Sequence, residues 1–243
     1  MRALCSGPLD PYKSAGLAQT LVLEGAVSSS PRLREVDVTS IGVDLFWLPL
    51  GAGGRFVRFN GRVYEWITAR RDHRIQQDLY HTALEVRVPE GRYIIENAWP
   101  IPDRNPAERG VTVQGPVWSP HLGRFRIFRY EVRCWLEGTI PDVAEADASP
   151  ERISDDEAHA RAVLAATETV PTLIWGRDEM GMGEMWNSNS VIAYVLTRAD
   201  IPAIAARPPA GGRAPGWMTG VLFAQRSMPS SHEGVPSPSN SLP

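Results

Sequence analysis

With 243 residues, 43% of them hydrophobic and 22% charged, the chain has the composition of an ordinary soluble globular protein, long enough for a substantial core. A net charge of −3 argues against nucleic-acid binding through total charge, and no run approaches the ~18–20 apolar residues that cross a bilayer. Two cysteines, Cys5 and Cys134, make neither a disulfide framework nor a zinc spacing, so a reducing cytoplasm, no membrane, no metal and no cofactor are the expectation.

Residues 1–34 are rich in Gly, Pro and Ser and read as a leader of low order. They lack the continuous apolar region of a signal peptide, because Pro8, Asp10 and Lys13 interrupt. A globular domain is expected over residues 35–226. It opens with a strand at 41–48, which Pro49 and Gly51 end. Residues 62–76 carry Val63, Trp66, Ile67 and Ala69 at helical spacing, although Asn60-Gly61 in front also suits a tight hairpin turn.

Residues 80–88 alternate cleanly, with Thr82, Leu84, Val86 and Val88 on one face and His81, Ala83, Glu85 and Arg87 on the other. Pro89-Glu90-Gly91 reads as a three-residue hairpin loop leading into a partner strand at 92–98. Further strands are expected at 111–113 and at 124–135, the second with a bulge where its alternation breaks. Ser154 and Glu157 have the spacing of a capping box. A second helix begins near Asn187 or Ser188 and uses Ile192, Val195 and Leu196. Residues 216–225 suggest a last strand, and 227–243 form a Ser/Pro-rich tail. Helices flanking an antiparallel sheet make an α+β architecture.

One pair of residues in this layout has chemical meaning. A hydroxyl becomes a nucleophile when a neighbouring base takes its proton, and the free amides of a helix's first turn can hold a developing oxyanion. Ser188 stands at such a helix start, and His81 lies on the more polar face of its strand. A three-residue hairpin loop pairs Val88 with Arg92 and places Asn97 on the His81 side, where its amide would orient the imidazole. Glu96 takes that place if the register shifts by one. Trp186, Asn187 and Asn189 would then border the substrate or the oxyanion.

Tyr80-His81-Thr82-Ala83-Leu84-Glu85-Val86 followed by a hairpin, then Asn187-Ser188-Asn189-Ser190, resembles the circularly permuted papain-like fold. The group includes lecithin–retinol acyltransferase and the PPPDE-type isopeptidases, in which a strand histidine precedes an Asn-Cys motif at a helix start. A bacterial group carrying Asn-Ser-Asn-Thr at this place is similar too. The resemblance covers roughly residues 41–200 and implies Ser188 as nucleophile, His81 as base, and a peptide-like or ester substrate. It departs in the nucleophile: serine stands for cysteine, and a hydroxyl depends wholly on its base.

Rival readings stand beside these. Asn and Ser are standard helix N-caps, so the motif at 187–190 can be capping alone, and the fold would then be a catalytically inactive binding module. Cys134 is an alternative nucleophile, but in an aromatic-rich strand it reads as packing. Asp178 to Glu184 matches no cation loop and reads as a lid. Arg55, Arg58, Arg62, Arg70, Arg71 and Arg74, interleaved with Phe56, Phe59 and Trp66, form a patch for an anionic partner or a solvated face that balances acidic residues.

Overall fold

Alternation in the 80–88 run divides its side chains between two faces, and the sheet grows outward from that strand in the computed structural model, which describes residues 40–50, 64–100 and 105–228. The strands are β1 (Gly42–Pro49), β2 (Tyr80–Val88), β3 (Gly91–Ala98), β4 (Val111–Pro116), β5 (Arg129–Leu136) and β6 (Asp147–Ser154). They form one antiparallel sheet in the order β4-β5-β3-β2-β1-β6. The helices among the described residues are α1 (residues 64–71), α2 (Glu157–Thr167), α3 (Ser188–Arg198) and α4 (Trp217–Arg226). The architecture is α+β. The expected leader, the Asn60-Gly61 turn and the tail beyond residue 228 lie outside the described residues.

One sheet face is apolar. Leu45, Trp47, Leu84, Val86, Ile95 and Val132 pack there with Val163 of α2, Ile192 and Leu196 of α3, and Trp217 and Val221 of α4. Helix α3 is the central one, since every residue from Asn189 to Leu196 is buried. The opposite face carries a smaller apolar island of Phe46, Leu48, Ala83, Ile94 and Ile140, flanked by ion pairs.

Four expectations need correction. Residues 217–226 are helical, not a strand: Trp217, Val221 and Ala224 are buried at helical spacing. Gly220 lets the helix lie against α3, since a Cβ there would stand 2.1 Å from the Ser190 carbonyl oxygen. Strand β5 begins only at Arg129, because two short 3-10 turns at Leu122–Arg124 and Arg126–Phe128 precede it and account for the broken alternation. Asp156, not Ser154, caps α2 by accepting the Ala158 amide at 2.8 Å, while Ser154 ends β6, an edge strand that tolerates Pro150. The hairpin turn holds two residues, Pro89 and Glu90, so that Val88 faces Gly91 and Arg87 faces Arg92. No helix among the described residues is long and apolar enough to cross a membrane.

Candidate functional site

The hairpin register sets the site. Pairing of β2 with β3 runs from Val88/Gly91 to Leu84/Ile95 and stops, although β2 continues to Tyr80 and β3 to Ala98. Other partners take the edge of β2 at this end. The Tyr80 amide donates to the Arg213 carbonyl at 2.8 Å, and the Tyr80 carbonyl accepts from Asn189 Nδ2 at 2.9 Å. A cavity of about 320 Å³ lies where the strands part, with His81 and Thr82 from β2, Glu96 and Asn97 from β3, and Ser188 from α3 among its lining. Trp99 and Trp175, with ring centroids 6.1 Å apart, also line it.

Three of the four residues at 187–190 hold the backbone in place. Asn187 caps α3 by accepting the Ser190 amide at 3.2 Å, and its Nδ2 donates to the Pro215 carbonyl at 2.9 Å. Asn189 Oδ1 accepts from the Thr82 hydroxyl at 3.1 Å, while its Nδ2 reaches both Tyr80 and Pro215. The Ser190 hydroxyl donates to the Gly216 carbonyl at 2.8 Å. The motif thus ties the start of α3 to β2 and to the 215–216 turn. Asn187 and Asn189, expected beside a substrate, have their side chains engaged in this clamp. Trp186 is buried against Tyr194 and Phe223 and does not line the groove.

Ser188 differs from its neighbours. It is half-buried, it lines the groove, and its hydroxyl has no hydrogen-bond partner among the described residues. As the first helical residue it also offers a first-turn amide, and neither its N–H nor that of Asn189 donates to another described residue.

His81 enters the cavity from across the sheet. Thr82 faces α3, so alternation sends His81 to the opposite face, beside Leu48 in the β1 register. Burial pulls its imidazole down to about 4, against a smaller upward pull from Asp142, so the ring is neutral near pH 7. No hydrogen bond joins it to Ser188 or to any other described residue.

The two-residue turn decides between the two candidate orienting groups. Continuing the β2–β3 register brings Ala83 level with Glu96, so Glu96 shares the His81 face while Asn97 lies on the Thr82 and Ser188 side. The expected position of Asn97 beside His81 is corrected by this one-residue shift. Burial pushes the Glu96 carboxyl up, against the lowering effect of Arg133, whose Nη1 donates to it at 2.8 Å. Asn97 Nδ2 is buried without a hydrogen-bond partner.

The other candidates fall away from the groove or are engaged by the protein itself. Cys134 is buried in the core. Asp178 accepts the Met182 and Gly183 amides, and Glu184 holds Arg213 and the Gly216 amide. Among the described residues no group of three or more His, Cys, Asp or Glu is placed to hold a metal. Arg55, Arg58 and Arg62 lie outside the described residues; Arg74 pairs with Glu65, Arg71 with Asp72, and Arg70 lies over Trp66. Sequence reasoning missed Thr82, Asp142 and Trp175. Thr82 was visible as a polar interruption in an aliphatic face, whereas Asp142 and Trp175 arrive from loops that no periodicity marks.

Compared with known proteins, the chain matches no family model, no curated protein and no solved structure.

Proposed function

We propose that the groove is an acyl-transfer site of permuted papain-like type, a hydrolase or acyltransferase acting on an amide, isopeptide or ester bond. The observation that carries this reading is the contrast within residues 187–190: Asn187, Asn189 and Ser190 are bonded into the scaffold, and Ser188 alone presents an unbonded side chain to the cavity. Ser188 Oγ adds to the carbonyl carbon as its proton passes to neutral His81. The first-turn amides and Asn97 Nδ2, donors without partners on the same side of the sheet, receive the oxyanion. Collapse expels the amine or alcohol, which takes the proton from His81; water then releases the acyl group by the reverse route. Glu96 shares the face of His81 and steadies the imidazolium. This transfer requires Ser188 and His81 to meet through the gap where β2 and β3 part, a tightening that catalytic hydrogen bonds often undergo only in the loaded site.

A second reading has an observation of its own. Ser188 and His81 approach from opposite sheet faces with no hydrogen bond between them, an arrangement that also suits a groove that binds a peptide-like chain without cleaving it. A fluorophosphonate reagent separates the two readings. The acyl-transfer reading expects covalent labelling at Ser188, lost in Ser188→Ala and strongly slowed in His81→Ala. An unlabelled wild-type protein that binds peptide-like ligands would establish the silent groove.

A further inference from the structure

A separate cavity of about 290 Å³ is lined by Pro100, next in sequence to Trp99 at the groove, and by Gln114, Arg124, Arg126, Arg129 and Glu131. Its three arginines fall within six residues, and the two 3-10 turns before β5 bring them to one wall. Two of them are held in place. Arg129 Nε donates to the Gly123 carbonyl at 2.5 Å, leaving its two terminal nitrogens for a ligand, and Arg124 lies 4.7 Å over the Phe125 ring. Neither forms an ion pair with a described carboxylate.

Glu131 supplies the one carboxylate among the described lining residues, and it is already engaged. Arg109 Nη2 reaches both its oxygens at 2.8 Å, and Arg133 donates to its Oε2 at 3.1 and 3.2 Å. Gln114 Nε2 adds a further bond at 3.2 Å. Glu131 is therefore already committed to other partners, and among the described residues no carboxylate pairs with Arg124 or Arg129 at this wall. Planar guanidinium groups match the paired oxygens of a phosphate.

We propose that this cavity binds a phosphate-sized oxyanion, either inorganic phosphate or the phosphoryl group of a small ligand. The site is independent of the chemistry at Ser188, and its test needs no activity. Calorimetric titration of the full chain with inorganic phosphate and with phenyl phosphate, each at an ionic strength fixed with chloride, gives a saturable heat. Tighter binding of phenyl phosphate identifies a phosphoryl ester as the source; equal binding identifies the free ion. Arg129→Gln weakens either probe about tenfold or more, the loss expected for a charge-assisted bond. Arg124→Gln, at an exposed position whose loss spares the fold, weakens binding as well, whereas Arg226→Gln on α4 leaves it unchanged. Absence of saturable heat with both probes, or equal affinity in wild type and Arg124→Gln, overturns the proposal.

Discussion

At the scale of single residues, His81 has the property that most readily tests the groove. Its imidazole titrates near 6.5 in an unfolded chain and at about 4 in the folded protein, because burial disfavours the charged ring. Between those values the unfolded state binds the extra proton, so the contribution of His81 to stability falls as pH drops from 6.5 towards 4; it is constant on either side of that window, with the loss absent above 6.5 and complete below about 4. The difference in unfolding free energy between wild type and His81→Asn should change across that window and be flat above it. A flat difference throughout would show a ring in contact with water. The same value sets the catalytic expectation: a base that is neutral down to about pH 4 keeps the acid limb of kcat/KM near that value rather than near 6.5. Membership of one cavity was legible in the sequence for His81, Ser188, Asn97 and Glu96. Their orientation was not. One residue of turn length decides which of Glu96 and Asn97 shares a face with His81, and Pro89-Glu90-Gly91 accommodates either count until Gly91 is seen as the first residue of β3.

At the scale of elements, the start of α3 is fixed from two sides, by the Asn189 bonds to β2 and by the close approach of α4. Gly220 permits that approach, with the Ser190 backbone where a side chain would otherwise be. Alanine at a helix interior ordinarily gains up to about 1 kcal/mol over glycine. Here Gly220→Ala should instead destabilise by about 1–3 kcal/mol, the usual cost of overpacking, read from urea unfolding. It should also slow labelling of Ser188, because α3 must shift away from α4. A gain in stability would mean that the helices part without strain. This contact explains why residues 216–225 read as a strand: a glycine amid apolar residues obscures helical periodicity when its purpose is to meet a neighbouring backbone. The strand at 80–88 was legible because one face is buried under helices and alternation records it, and the strand at 92–98 because the Pro89-Glu90-Gly91 turn returns the chain beside it. Strand β6 left no such record, since it is an edge strand, all of its residues are half-buried or exposed, and Pro150 interrupts it.

At the scale of the whole molecule, the two sheet faces are held by different forces. Helices cover one face through apolar packing. Across the other, Arg152, Asp44, Arg87, Glu85 and Arg92 form successive ion pairs over four strands. Arg109, Glu131, Arg133 and Glu96 form a second chain reaching from the arginine-lined cavity to the groove. The second chain is the more deeply buried, with Arg109 0%, Glu131 1%, Arg133 3% and Glu96 7% exposed. Water cannot take over from a lost partner there, so Glu131→Gln removes the buried charge that Arg109 and Arg133 share and should cost about 3–5 kcal/mol. Exposed Asp155, which pairs with Arg152 at 2.8 Å, is the contrast: Asp155→Asn should change stability by no more than about 1 kcal/mol. Urea unfolding of the two variants beside wild type measures both values. The position of the chain adds a second readout. Arg133 bonds Glu131 and Glu96 at once, so loss of the Glu131 charge strengthens the hold of Arg133 on Glu96 and draws the Glu96 carboxyl down. If Glu96 steadies the imidazolium of His81, that change alters the pH profile of labelling at Ser188 in the fraction of Glu131→Gln that remains folded. A stability loss with an unchanged profile would assign the charge chain to the fold alone.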